Sequence, residues 1–381
     1  MLWVDDKGSR RSCRAGERMN AIVRWTATIA CTGLTMTAAG CGGSATTATT
    51  ATTASPQQQA AASFLAKYAS SNGRVVRLDQ GGDTVSEGQA YGMLLAEVAG
   101  DNSAFSRIWR WTQGHLQLSN GLFAFHTNAA GKVINSQPAS DADLLIAWAL
   151  LRYRGPSAAV YHQDGRRVAS AILAHEVTTG PGGVPILAAG PWATGRPASL
   201  DPSYWSLSAM QGIAQATGSS QWQHLATGAV ALTRQLTGDG RLLPPDWAEL
   251  TAGGTLRPEP APDGSAPQTQ YGLDAQRVVA WFAASCNPQA RAMAARWWPL
   301  LRPGDRAQAL ALHQNGTVID STSSVLPMVA AAAAARADGD ASAAQQLLRR
   351  AEALQRSHPA YYGGAWLALW SALHTGALTG C

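Results

Sequence analysis

From about residue 58 onward, apolar side chains recur three and four positions apart, the spacing that gathers them on one face of a helix. The pattern predicts helices over 58–70, 86–99, 103–117, 139–152, 163–176, 202–217, 220–236, 273–285, 288–300, 321–336, 340–355 and 364–376. Loops rich in Gly and Pro join them. Strand-like alternation is scarce, with short extended pieces expected at Lys132–Asn135 and Val184–Ala188. The Ala-rich run Ala330–Ala344 reads as two surface helices around an Asp-Gly-Asp turn. The class is all-α, and an even set of paired helices fits a helical toroid.

The first forty residues follow another rule. From Met19 a basic stretch leads into an uncharged, apolar run ending in Ala38-Ala-Gly-Cys41, the form of a secretory signal closed by a lipobox. The run is short and Thr-rich for a membrane span. The expected division is a leader over 1–40, a Thr/Ala-rich tether over 41–60 and one large domain over 61–381. Residues before Met19 read as an upstream extension. Cys41 would carry lipid, making the protein an exported, periplasmic or outer-membrane lipoprotein. Residues 1–24 hold six basic and three acidic side chains, so +3 of the formal +5 belongs to the leader. The remaining +2 gives no reason to expect a nucleic-acid partner. Of five cysteines, Cys13 and Cys31 leave with the leader, and Cys286 and Cys381 are expected as two separate thiols.

Several predicted helix starts carry polar or aromatic clusters. They are Ser86-Glu87, Ser140-Asp141, Asp201-Pro-Ser-Tyr204 and Tyr271-Gly-Leu-Asp274. Ser86 with Gln89, and Ser140 with Asp143, have the spacing of a capping box, with Glu87 and Asp141 in matching positions behind the serines. An acidic residue in a first turn is ordinarily explained by the helix dipole, but the repetition points further. If alternate helices start at one end of a toroid, the four clusters line one cleft. Gly88 and Gly92 fall where a helix former is preferred, so something should lie close against that backbone. Trp outnumbers Phe fourteen to five. Indoles suit both sugar faces and cores, and Trp111, Trp148, Trp192, Trp205 and Trp247 are groove candidates, Trp247 first. Trp297, Trp298 and Trp370 read as core.

There is no H-E-x-x-H, C-x-x-C, phosphate-binding Gly loop or G-x-S-x-G elbow. The eight histidines lack metal-ligand spacing, and His115 and His126 read as structural. No metal or cofactor is expected, and carboxylate chemistry is what is left.

Glu-Gly-Gln-Ala-Tyr-Gly-Met at 87–93 and Ala-Ser-Asp-Ala-Asp at 139–143, followed by Ile146-Ala147, resemble the acid motif and signature of glycoside hydrolase family 8. Trp111-Thr-Gln, Asp201-Pro-Ser-Tyr204, Pro245-Asp-Trp247 and Leu273-Asp-Ala-Gln-Arg277 extend the resemblance from about Phe64 to Trp370. It implies an (α/α)6 barrel and an endo-acting, inverting hydrolase of β-1,4-glucan linked to bacterial cellulose production. A monomer, with a cellulose synthase complex as partner, is the accompanying expectation. Glu87 matches the proton donor, Asp141 a further catalytic carboxylate and Asp274 the general base. Tyr91, Trp111, Tyr204, Trp247, Tyr271 and Arg277 are the expected substrate contacts, with Arg277 also placed to keep Asp274 ionised. Asp143 is read as a helix cap. One departure stands out: the family usually has Tyr directly before its base, whereas Leu273 stands here and Tyr271 lies three residues before Asp274. A non-catalytic glucan-binding protein, or a hydrolase of xylan or chitosan, is the alternative.

Overall fold

A computed structural model of the chain describes residues 53–379. The leader, the lipobox with Cys41 and most of the predicted tether lie outside the described residues, as does Cys381.

Among the described residues, twelve α-helices alternate between two concentric rings. The outer ring is α1 (Pro56–Tyr68), α3 (Asn102–Leu116), α5 (Ala158–His175), α7 (Ser220–Leu236), α9 (Pro288–Leu301) and α11 (Ala341–Ser357). The inner ring is α2 (Ser86–Ala99), α4 (Ser140–Arg152), α6 (Leu207–Thr217), α8 (Leu273–Ala284), α10 (Val325–Ala337) and α12 (Tyr361–His374). Each inner helix contacts the next, and α12 returns to α2, closing the (α/α)6 barrel. Outer helices bury one stripe, as in α11, where only Ala344, Leu347 and Ala351 are buried. Inner helices are buried nearly all round, as a helix packed on every side must be.

Every predicted helix exists, with informative differences. The 202–217 segment is broken: Pro202–Tyr204 forms a 3₁₀ turn and Ser206 caps α6 by accepting from the Ala209 amide. The 321–336 segment begins as a strand, and helix α10 starts only at Val325. The Ala-rich run is not two surface helices. Ala330–Ala335 are fully buried on α10, whose small side chains let α8, α9, α11 and α12 close around it. Helix α1 starts at Pro56, inside the predicted tether, because Ser55 and Gln58 form a reciprocal capping box.

Ten short strands join the helices among the described residues. The extended pieces expected near 132–135 and 184–188 are β3 (Val133–Asn135) and β5 (Pro185–Leu187). β3 completes an antiparallel sheet with β1 (Thr84–Val85) and β2 (His126–Thr127), and β5 pairs with β4 (Val177–Thr179). β6 (Ala198–Leu200), β7 (Trp247–Leu250) and β8 (Leu256–Glu259) form a second three-stranded sheet. β9 (Ala309–Leu312) and β10 (Val318–Ser323) form a hairpin, and Leu312 exchanges backbone hydrogen bonds with Tyr271 just before α8.

Cys286, just past α8, is disulfide-bonded, which overturns the expectation of separate thiols. The other four cysteines all lie outside the described residues. Among the described residues no helix is long and apolar enough to cross a membrane.

Candidate active site

All six inner helices start at the same end of the barrel, and α2, α4, α8, α10 and α12 start without a side-chain cap of their own. The two predicted capping boxes are therefore corrected. Val85 and Ala139 occupy the cap positions, because β1 runs directly into α2 and Ser86 is already helical. The Ser86 hydroxyl has no partner, and that of Ser140 donates to the Ala188 carbonyl at 2.5 Å. Gln89 instead accepts from the Val75 amide at 2.6 Å and donates to Thr112 Oγ1 at 2.9 Å, tying the loop before β1 to α3. Asp143 is not a cap either; its Oδ1 accepts from the Phe123 amide at 2.9 Å.

With the caps absent, the second residue of each of four inner helices points chemistry at the open end: Glu87, Asp141, Asp274 and Tyr362. Asp246, in the loop before β7, supplies what α8 lacks. Its Oδ1 accepts from the Gly272 and Ala275 amides, both at 2.8 Å, and its Oδ2 from Gln270 Nε2 at 2.9 Å. That carboxyl fixes where α8 begins, and so where Asp274 stands.

Arg277, one turn beyond Asp274 on α8, joins the helix starts into one cluster. One terminal nitrogen lies 2.8 Å from Asp141 Oδ2 and 3.5 Å from Glu87 Oε2. The other lies 2.7 Å from Asp274 Oδ1 and 3.6 Å from Asp201 Oδ2. The Tyr204 ring lies beneath the guanidinium, 5.4 Å from centroid to carbon, and Trp247 packs edge-on to Tyr204 at 6.3 Å. Four of the predicted clusters thus meet at one cation, as the toroid argument required. Asp274 is the least buried of the four carboxyls, its side chain 15% exposed against 4% for Glu87.

One guanidinium cannot neutralise four carboxylates removed from water, so some of them must hold protons. A helix start favours the anion by about 0.3–1 kcal/mol, and burial overrides it. Glu87 is pushed up to about 8, first by burial and then by the Asp141 charge, with Arg277 and Arg77 pulling the other way. Burial also raises Asp141, against the pull of Arg277, and drives Asp201 well above the usual range with help from Asp274. Asp246 is pushed up to about 7 by burial and by Asp274.

Of the expected substrate contacts, Arg277 and Tyr204 stand at the cluster. Tyr91 and Tyr271 are sealed, hydroxyls included, and the charge acting on Tyr271 is that of Asp246. Tyr271 therefore does not replace the tyrosine missing at Leu273. Trp111 is buried against His115, and Trp148, Trp205 and Trp247 are also buried; of the five groove candidates only Trp192 is exposed. Its indole N–H donates to the Pro138 carbonyl, just before α4. Trp297, Trp298 and Trp370 are core, as expected. His115 and His126 are satisfied, the first at the Trp111 carbonyl and the second at Asp83, which also pairs with Arg77. The sequence reading missed Tyr362, which lies in the field of Arg277, Glu87, Asp274 and Asp141, and the capping role of Asp246. A cavity of about 930 Å³ opens elsewhere, lined by Glu97, Arg152 and Ala216 near the far ends of α2, α4 and α6. It shares no residue with the carboxylate cluster.

Opposed carboxyls gathered at one end of a helical toroid supply the acid and base residues that glycoside hydrolysis needs. The chain matches the description "Glycosyl hydrolases family 8" over residues 36–376 and belongs to that family. It is similar to an endoglucanase of Cellulomonas uda, 32% identical over 214 residues, covering 53% of this chain and 57% of that protein. A probable endoglucanase of Novacetimonas hansenii is 32% identical over 252 residues, covering 63% and 71% of the two chains. The chain thus spans little more than half the length of the first of these relatives. Among solved structures, the endo-β-1,4-glucanase CMCax from Acetobacter xylinum superposes with a TM-score of 0.68 at 26% identity, covering 84% of this chain and 98% of that one. The endoglucanase Cel10 from Klebsiella pneumoniae does so with a TM-score of 0.68 at 25% identity, covering 84% and 99%.

Proposed function

We propose that this chain is an endo-acting glycoside hydrolase that cleaves β-1,4-glucan with inversion of configuration. The observation that carries this reading is the division of labour around Arg277. Glu87, held protonated to about pH 8 by burial and by Asp141, is the general acid that protonates the departing glycosidic oxygen. Asp274, the most exposed carboxyl of the cluster and paired with Arg277 at 2.7 Å, is the base that takes a proton from the attacking water. Inversion needs the two carboxyls about 6.5–9.5 Å apart, with a water between. Carboxyls held on different nitrogens of one guanidinium suit such a gap. Asp141, whose oxygens accept from Arg277 and from the Ala142 amide, raises the proton affinity of Glu87 and stands where sugar hydroxyls would meet the cluster. Trp192 is the exposed aromatic face beside the start of α4, suited to a sugar ring. The names of the similar proteins support β-1,4-glucan as the substrate.

The signal-like run ending at Cys41 supports export and lipid attachment, with work beside a cellulose-producing machine. Leu273 keeps a second reading in view, a glucan-binding protein of the same fold with little turnover. One experiment separates them: reducing-sugar release from soluble cellulose, xylan and chitosan, with the product anomer followed by NMR. Turnover on cellulose with the α-anomer appearing first is expected. No turnover on any of the three, or the β-anomer first, would overturn the proposal.

A further inference from the structure

Asp143 and Glu176 form a second acidic pair outside the Arg277 cluster, and both are fully shielded from solvent. Asp143 sits in the first turn of α4, two residues after Asp141, and Glu176 closes α5 immediately before β4. Asp143 Oδ1 accepts from the Phe123 amide. Asp143 Oδ2 and both Glu176 oxygens meet no N–H or O–H donor among the described residues. The two carboxyl groups are nevertheless partners of each other. Two carboxylates offer only acceptors, so such a contact requires a proton between them.

The surroundings leave little else to satisfy the pair. The charged group acting on both is Asp141, of the same sign. His175, next to Glu176 in the chain, is exposed, and α6 carries no ionisable side chain. Glu87 on α2, Asp201 before the 3₁₀ turn and Arg277 on α8 are engaged with one another. Two buried anions with no cation are not tolerated in such a setting.

We propose that Asp143 and Glu176 share one buried proton, carried by Glu176 and donated to Asp143 Oδ2, and that this pair fastens the start of α4, with Asp141, to the end of α5. The side on which the proton sits follows from the donors. The Phe123 amide favours an ionised Asp143, whereas no group stabilises an ionised Glu176. Burial raises both carboxyls well above the ordinary range; the charge and hydrogen bond of Asp143 raise Glu176 further, while the Glu176 hydrogen bond and the Phe123 amide pull Asp143 back, in keeping with that assignment. A folded-state affinity raised above that of the unfolded chain gives stability that is complete at low pH and is lost as pH rises through the folded value. The latch therefore holds at neutral pH and opens on the alkaline side.

Thermal unfolding of the purified chain from about pH 7 to about pH 10 tests this. Glu176→Gln keeps a donor in the same place without a titrating proton. It should unfold within about 3 °C of wild type at pH 7 and lose less on going alkaline. Asp143→Asn turns the partner into a donor and so forces a buried, ionised Glu176, which should lower the midpoint by about 5–10 °C at pH 7. The proposal is overturned if Glu176→Gln costs as much as Asp143→Asn, or if its pH slope equals that of wild type. A chelator that lowers the wild-type midpoint would also overturn it, by placing a cation in the pair. Should the variants not fold, infrared spectra of glutamate-¹³C-labelled protein carrying Glu87→Gln give a separate readout. A protonated-carboxyl band should persist at about pH 7, where ordinary glutamates are ionised, and its absence sinks the idea.

Discussion

Glu87 and Asp274 sit at the same position of two inner helices, yet their surroundings differ in the way the proposed acid and base would need. Glu87 is enclosed beside Asp141 and holds its proton to about 8, while Asp274 is the more open and leans on Arg277. Glu87→Gln preserves the shape but has no proton to give, so activity should fall by about 10²–10⁴-fold with the unfolding midpoint little changed. A variant that keeps most of the wild-type rate would reduce Glu87 to a helix-start carboxylate. In the wild type, kcat/KM should decline as pH rises through about 8, where the acid loses its proton. An alkaline limb far from there would place the general acid elsewhere. Asp274→Asn should abolish turnover while oligosaccharide binding, read by calorimetry, survives. Leu273→Tyr should hold or raise the rate by restoring a hydroxyl beside the water, since the sealed Tyr271 cannot supply one. These three carboxyls were legible because each stands in a short motif at a helix start. Asp246 and Tyr362 were not. The first acts through a cap on a helix 27 residues further along the chain, from Asp246 to Leu273. The second was hidden because Gly363 and Gly364 weaken the helical pattern just where α12 begins.

Outer helices were readable because one buried stripe repeating every three to four residues is a local signal, and inner helices, buried nearly all round, were readable as long apolar runs between loops. What was misread depended on partners distant in the chain. Ser86 and Ser140 have the right spacing for capping, but strand pairing of β1 and the Ala189 contact bring the helix one residue forward, so neither serine caps. Alanines look like surface until four neighbouring helices need a slim inner member. The glycines of α2 did carry a message that could be read. A Cβ on Gly88 would stand 2.4 Å from the Tyr361 hydroxyl, and one on Gly92 2.7 Å from Val75. Tyr361 has little room to retreat, since its amide is held by Asp79 at 3.0 Å and its ring packs on Phe64 and Tyr68. Gly88→Ala gains about 1 kcal/mol of helix propensity but overpacks a full core, which costs about 1–3 kcal/mol. The unfolding midpoint should fall, and activity with it, because the displaced turn carries Glu87. Tyr361→Phe removes an unpartnered hydroxyl and should restore most of the loss in the double variant. If Gly88→Ala instead stabilises the protein, the close approach does not exist in solution.

A ring of twelve helices gives the molecule two unlike ends. One gathers the uncapped helix starts and their carboxyls; the other carries the 930 Å³ cavity, where Glu97, paired with Arg152, is the one carboxylate among the described lining residues. Closure of that ring was legible only as an even count of helices, since nothing local encodes the return of α12 to α2. The division of charge along the chain bears on where the molecule works. The basic excess of residues 1–24, the uncharged run after them and Ala38-Ala-Gly-Cys41 together have the form of a lipoprotein signal, and removing them leaves a nearly neutral chain. A single diacylglycerol-type anchor with an additional acyl chain supplies more than one lipid signal, enough for stable membrane attachment, where one chain alone binds only marginally. The mature protein should therefore fractionate with membranes, and mass spectrometry of its N-terminus should find acyl mass on Cys41. Cys41→Ser should move the protein to the soluble fraction with its specific activity on soluble cellulose intact, because the clustered carboxyls and every described helix follow Cys41 in the chain, the first being α1 at Pro56. An unmodified N-terminus at another position in the membrane-derived protein would end the lipoprotein reading while leaving the hydrolase assignment untouched.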